Sequence, residues 1–206
     1  MVAIIDYGAG NLQSVKKALD YIGAESVITS DAKIIESSSH VILPGVGSFE
    51  DAVNSINSSG LREVIIKSAK EKHFLGICLG LQLLFERSEE SPNAEGLGIL
   101  KGEVVKIPSD KGLKVPHIGW NSIDVLNDEG IFKDIPQSSY FYFVHSYYIK
   151  CYDKDVVSAM THYGVPIECA VKKGNLSAVQ FHPEKSGEVG LQLLKNFVFE
   201  GDICVR

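Results

Sequence analysis

Several things this 206-residue chain has little of limit what it can be. Its four cysteines, Cys78, Cys151, Cys169 and Cys204, include no Cys-x-x-Cys pair, which argues against a zinc site or a redox dithiol. Their sparseness fits a reducing compartment. Lysine and arginine total 20 against 26 acidic residues, a net charge of −6 and a pI near 5.5. The only basic runs are Lys16-Lys17 and Lys172-Lys173, so nucleic acid is not expected as a main partner. No apolar run approaches the roughly 18 residues a membrane span needs. Met1-Val2-Ala3-Ile4-Ile5-Asp6 enters an apolar strand pattern without a basic leader, so no secretory signal and a cytoplasmic location are expected. No Gly-Lys-Ser/Thr phosphate loop occurs. Gly8-Ala9-Gly10 lacks the third glycine of a dinucleotide fingerprint, since position 13 is Gln.

What is present is ordinary globular material, 45% hydrophobic and 22% charged, with length enough for a sizeable core and one domain over residues 1–206. The first half alternates. Strands are expected at Val2–Ile5, Ser26–Thr29, His40–Leu43 and His73–Ile77. Helices are expected from Leu12 to Ile22, over Phe49–Ile56 and Leu61–Lys70, and from Leu79 through Phe85. That alternation implies a mostly parallel sheet with helices on both faces. The second half reads as strands at Leu97–Ile107, Ile118–Val125, Tyr140–Ile149, Val156–Tyr163, Val165–Val171 and Leu176–Phe181. Turns fall at Gly112, 127–130 and 173–175, and a last helix at Gly187–Phe199. Antiparallel hairpins on the edge of the parallel sheet are expected. Ser37-Ser38-Ser39 and 88–95 read as loose loops.

Two short motifs carry the chemistry. Gly76-Ile77-Cys78-Leu79-Gly80 places a cysteine at a strand-to-helix junction, a thiol version of the Gly-x-Ser-x-Gly elbow. The flanking glycines let the crowded backbone pass, and the turn aims the sulfur at a helix N-terminus that favours thiolate. About a hundred residues later comes His182-Pro183-Glu184. In an extended chain residues two apart share a side, so Glu184 can hold one imidazole nitrogen while the other faces the sulfur. This is nucleophile, base and orienter. Pro44-Gly45-Val46-Gly47 ends a strand expected near the one carrying Cys78. Acyl transfer needs two N–H donors for its oxyanion; Leu79 supplies one by position and Val46 is the candidate for the other. Gly45 and Gly47 would let the peptide between them rotate.

Together these residues resemble the class I (triad) glutamine amidotransferases, and within them the glutaminase subunits of imidazole glycerol phosphate synthase in histidine biosynthesis. The narrower likeness is carried by Asp6-Tyr7-Gly8-Ala9-Gly10-Asn11-Leu12, Leu43-Pro44-Gly45-Val46-Gly47-Ser48-Phe49, Pro116-His117-Ile118-Gly119-Trp120-Asn121 and Val144-His145-Ser146-Tyr147-Tyr148. The resemblance implies a flavodoxin-like three-layer α/β sandwich with an antiparallel extension. It implies that Cys78 attacks the glutamine side-chain amide, with His182 as base and acid and Glu184 as orienter. Ammonia then passes to a separate cyclase barrel subunit in a heterodimer, which makes imidazole glycerol phosphate and an aminoimidazole carboxamide nucleotide. Gly45, Gln82, Glu90 and the Ser146-Tyr147 backbone become the glutamine pocket; Asn11, Trp120, Tyr142 and Lys185 become partner-interface or tunnel-mouth residues. No cofactor or metal is implied. Trp120 as core and Lys185 as a solvated loop charge remain competing readings. So do the amidotransferase of pyridoxal phosphate synthesis, against which Ile118-Gly119-Trp120-Asn121 argues, a gamma-glutamyl peptidase, and a regulatory module without turnover.

Overall fold

The computed structural model describes residues 1–109 and 112–199; Cys204 lies outside the described residues. The chain runs β1 (Val2–Ile5), α1 (Leu12–Tyr21), β2 (Ser26–Thr29), α2 (Ala32–Ser37), β3 (His40–Gly45), α3 (Phe49–Ser59), α4 (Arg62–Glu71), β4 (His73–Cys78) and α5 (Leu79–Gln82). It continues through β5 (Arg87–Ser88), β6 (Gly102–Lys106), β7 (His117–Val125), β8 (Tyr140–His145), β9 (Tyr147–Cys151), β10 (Val157–Tyr163), β11 (Val165–Lys173), β12 (Leu176–Val179) and α6 (Gly187–Phe199).

The sheet order is β2-β1-β3-β4-β12-β11-β10-β7-β8. The first five strands are parallel and, with β12 as the fifth, follow the 2-1-3-4-5 order of a doubly wound sheet. From β11 onward the main path is antiparallel, and β9, β6 and β5 branch from β11. Strand alternation splits the core into two layers. Val2 and Ile4 pack with Val15 and Leu19 of α1 and Leu193 and Leu194 of α6. Ala3 and Ile5 pack on the other face with Ile35, Phe49, Ile56 and Ile65 from α2, α3 and α4. The expected three-layer α/β architecture is therefore present.

Several local expectations give way to long-range hydrogen bonding. The helix after Cys78 stops at Gln82 rather than reaching Phe85. The Leu84 and Phe85 N–H groups turn to the Leu81 and Gln82 carbonyls, three residues back instead of four, and the N–H groups of Leu97, Gly98, Ile99 and Leu100 take the carbonyls of Leu83, Leu84 and Phe85. The same bonds make 97–101 a loop, so the strand expected from Leu97 begins at Gly102. The stretch Tyr140–Ile149 is two strands. Before Ser146 it pairs with β7, and after it with β6, so the chain changes partner while its apolar pattern runs on. The strand expected to Phe181 ends at Val179, and Pro183–Lys185 is a 3₁₀ turn rather than an extended link. Helix α2 was not expected from periodicity; Asp31 caps it, its carboxylate accepting from the Lys33 N–H at 2.8 Å. Ser38 is buried rather than loose, its hydroxyl donating to the Ile34 carbonyl. Residues 88–95 are pinned by β5 and by Glu89 N–H to the Val104 carbonyl.

Candidate active site

Three strand ends meet at the carboxyl edge of the parallel sheet, where doubly wound folds place their sites. β4 ends in Cys78; Gly45 of β3 is in register with Cys78, and Val179 of β12 with Ile77. Cys78 takes φ 56° and ψ −111°. Such a backbone costs an L-residue on the order of 1–3 kcal/mol and persists only where the surroundings impose it. Here they do. A Cβ on Gly80 would lie 1.9 Å from the Leu43 carbonyl oxygen; one on Gly76 would meet Gly80 O and Ala178 Cβ at 3.0 Å. Gly45 is equally hemmed, with Tyr7 Oη 2.7 Å and Leu79 Cβ 2.9 Å from its would-be Cβ. The glycines serve close approach around the elbow, as their spacing suggested. The one-turn α5 carries far less macrodipole than the longer helix expected, but its first-turn N–H groups still lack intrahelical acceptors.

His182 stands three residues past β12. Its Nδ1 and Glu184 Oε1 are 2.8 Å apart, with both side chains at most 2% exposed. The 3₁₀ turn, not an extended link, brings them together. Burial would keep the imidazole neutral, but Cys78 and then Glu184 outweigh it and raise the His182 pKa to about 9. Among the described residues its Nε2 finds no hydrogen-bond partner of regular geometry. Sulfur and ring are thus close enough to couple but not aligned, the looseness common before substrate arrives. The His182 backbone is tied to β8: its N–H donates to the Tyr142 carbonyl at 2.9 Å, and the Ser186 hydroxyl donates to the His182 carbonyl at 2.6 Å.

A cavity of about 280 Å³ opens over this edge, lined by Val46, Gly47, Cys78, Leu79, Gln82, Glu90, Pro116, Val144, His145, Ser146, Tyr147, His182 and Lys185. Cys78 is the only cysteine among them. Cys151 and Cys169 are buried elsewhere, and burial raises both their thiol pKa values, which leaves them inert. Among the described residues no cluster of three or more His, Cys, Asp or Glu is placed to hold a metal.

Residues 3–200 match the family model described as glutamine amidotransferase class-I. The chain belongs to this family. It is 53% identical over 198 residues to the imidazole glycerol phosphate synthase subunit HisH of Caldanaerobacter subterraneus, covering 96% of this chain and 97% of that protein. It is 47% identical over 202 residues to HisH 1 of Methanococcus maripaludis, with 96% and 98% covered. It is 45% identical over 206 residues to the HisH of Nitrosomonas europaea, with 96% and 97% covered. Among solved structures the fold matches PurLQS from Thermotoga maritima with a TM-score of 0.75 at 21% identity, covering 95% of this chain and 96% of that one. It also matches a glutamine amidotransferase with a TM-score of 0.74 at 20% identity, with 96% and 99% covered.

In this amidotransferase the expected pocket residues do not all fall in one place. Gln82, Glu90, Ser146 and Tyr147 line the cavity with Val46 and Leu79. Glu90 is tied down there: its Oε2 accepts from the Phe49 N–H at 2.8 Å. Gly45 does not line the cavity; it packs behind the elbow, where a smaller space also holds Asn11, Val15, His182 and Glu184. Asn11 thus lies closer to the triad than an interface position requires. Val46 is 41% exposed and is followed by Gly47 at φ +100°. Trp120 is not core: it is 55% exposed on β7, packed edge-on against Tyr142 of β8. Lys185 is at the cavity rim, its Nζ 5.9 Å from the Tyr142 ring centroid.

Four residues at or around the site escaped the sequence reading as site residues. Gln180 is fully buried and its Nε2 donates to Cys78 Sγ at 3.7 Å. Tyr7, in the Gly-rich turn after β1, keeps its hydroxyl buried and without a hydrogen-bond partner among the described residues, and burial plus the neighbouring Cys78 raise its pKa. His145 lines the cavity and His117 lies behind it. The visible signal was position: Gln180 two residues before His182, and the histidines inside the motifs of the second half.

Proposed function

We propose that this chain is the glutaminase subunit of an imidazole glycerol phosphate synthase, acting through Cys78, His182 and Glu184. The supporting observation is the pairing of a strained elbow cysteine with an imidazole that Glu184 holds at 2.8 Å, both at one cavity, in a chain 45–53% identical to synthase subunits over nearly full length. The Cys78 thiolate attacks the carboxamide carbon of glutamine, and the imidazolium of His182 protonates the departing nitrogen as the C–N bond breaks. Neutral His182 then takes a proton from water, whose oxygen attacks the thioester. Glutamate leaves and the thiolate returns. Glu184 keeps the ring oriented and supports its charge. The N–H groups of Leu79 and Val46 serve the oxyanion, and Gln82, Glu90, Ser146 and Tyr147 hold the substrate.

Ammonia passes to a cyclase barrel docked on the β7–β8 face. Ile118, Trp120 and Tyr140 are each more than half exposed there, and cross-strand pairs join Ile118 to Val144 and Trp120 to Tyr142. An apolar, aromatic sheet face beside the cavity rim is what a partner interface needs. Lys185 stands beside Tyr142 at the cavity rim, and Asn11 lies behind the elbow. Steady-state glutamine hydrolysis by the lone chain, by the complex and by the complex with the cyclase's nucleotide ligand tests this reading. A rise of about 10²–10³-fold is expected when partner and ligand are present, the scale of one oxyanion donor. No glutamine hydrolysis under any of the three conditions would overturn it.

A further inference from the structure

Two buried imidazoles lie outside the proposed triad, His145 in the cavity wall beside Ser146 and Tyr147 and His117 behind it. His117 on β7 and His145 on β8 are cross-strand partners, with His117 Nδ1 and His145 Nε2 3.0 Å apart. His145 Nδ1 is 2.9 Å from the Tyr147 carbonyl oxygen, which can only accept, so Nδ1 carries the hydrogen. In a neutral ring His145 Nε2 is then an acceptor, and His117 Nδ1 must donate to it. His117 Nε2 is left as an acceptor, and Asn121 Nδ2 stands 3.4 Å away to donate. Every ring nitrogen has a consistent role only while both rings are neutral. A proton on His145 would set two N–H groups against each other across 3.0 Å, and one on His117 would set its Nε2–H against the Asn121 amide at 3.4 Å. Burial keeps them so, lowering His145 to about 3 and His117 to about 4. Stacking on Tyr163, at 4.0 Å between centroids, fixes the His117 ring.

The line of hydrogen bonds continues past Tyr147, its direction reversing at the carbonyl, which accepts from both sides. The Tyr147 carbonyl also accepts from Gln82 Nε2 at 3.0 Å, and the other hydrogen of that amide goes to Gln180 Oε1 at 3.0 Å. Gln180 must then present its Nε2 to Cys78 Sγ. We propose that His117 and His145 are positioning residues: as a neutral pair poled in one direction, they hold the Tyr147 carbonyl and so orient the Gln82 and Gln180 amides that set the Cys78 sulfur. The inference rests on the reading of Cys78 as nucleophile, and it deepens that reading by giving the β7–β8 hairpin a hydrogen-bonded line to the sulfur.

The test compares His145→Asn with His145→Leu in the complex with the cyclase. Asn places an N–H close to the lost Nδ1; Leu fills the space without a donor. Two readouts are taken, kcat and KM for glutamine, and the rate of Cys78 alkylation by iodoacetamide. The Asn variant is expected within about threefold of wild type on both, and the Leu variant about tenfold or more slower, the scale of one hydrogen bond lost at a reacting group. A packing role alone reverses that order, because Leu is the better filler. Leu equal to wild type, or Asn no better than Leu, overturns the proposal. If a position-145 variant does not fold by circular dichroism, His117→Asn against His117→Leu asks the same question one link further out, with the same order expected and equality again overturning it. Should the wild-type complex prove unable to hydrolyse glutamine, the proposed function falls, and the alkylation ranking alone decides whether the pair sets the sulfur.

Discussion

At the carboxyl edge of the parallel strands, backbone meets backbone so closely that a methyl group on Gly80 would lie 1.9 Å from the Leu43 oxygen. Across the β7–β8 hairpin, by contrast, Ile118, Trp120 and Tyr140 stand in solvent, and the strands' inner residues are held by rings and hydrogen bonds. Crowding leaves Cys78 one strained conformation; the hairpin supplies polar groups with a direction but few steric limits. The difference teaches that reactivity and recognition here answer to separate constraints. One tolerates no added atom, and the other depends on which hydrogen points where. They are joined at few places, chiefly the Tyr142–His182 backbone bond and the Tyr147 carbonyl.

The largest expected effect lies on the crowded side. Cys78→Ala should lower glutamine turnover by about 10⁴-fold or more, with the fold intact because the volume change is small. The cyclase should still work on supplied ammonia. His182→Ala should fall as far, and Glu184→Gln less, by about 10²–10³-fold, since it orients rather than transfers the proton. Steady-state kinetics check all three, and a normal rate in Cys78→Ala would remove the chemistry from this edge altogether.

Next comes the crowding itself. Gly80→Ala should destabilise the chain by about 3 kcal/mol, because a backbone carbonyl must move, and Gly76→Ala by about 1 kcal/mol, because its contacts are at 3.0 Å. Urea midpoints decide; equal effects would mean that the 1.9 Å approach relaxes freely. On the open side, Trp120→Ala should leave the urea midpoint nearly unchanged and weaken cyclase binding by about 2 kcal/mol, roughly thirtyfold in Kd. An unchanged Kd by calorimetry would move the interface elsewhere.

The smallest effect concerns pH. The His182 pKa is raised from 6.5 to about 9, so its stabilisation is complete below pH 6.5 and is lost as pH rises through 9. The urea midpoint should fall over that window. Cys78→Ala should flatten the dependence, because Cys78 is the main group raising the ring. A flat wild-type profile would separate His182 from the sulfur.

Much of the parallel half was legible because its signals are local. Short apolar runs and helical spacing are read along the chain, and so was the strand-to-helix elbow. What was not legible depends on partners far away in sequence. The chain after α5 leaves the helical path and is bonded by residues 97–100, and the strand through Ser146 breaks because the chain changes neighbours; apolar alternation registers neither. The proposed triad was drawn from two motifs, but the geometry joining His182 to Glu184 is a 3₁₀ turn that the extended-chain argument did not foresee. Gln180, His117 and His145 were invisible as site residues because a hydrogen-bond chain has no spacing rule.

The exposed ladder on β7 and β8 has a consequence for how the chain must be supplied. β8 is the last strand on the sheet's main path; its Tyr142 backbone is bonded to His182 and Ser186, while the aromatic face beside it stays exposed. Two copies meeting there could hide each other's rings. A cell that made this chain faster than whatever covers that face would build up the species most prone to stick to itself. Balanced synthesis is therefore a demand written into the hairpin, and purification of the chain alone should show self-association that rises with concentration and ends when the face is covered.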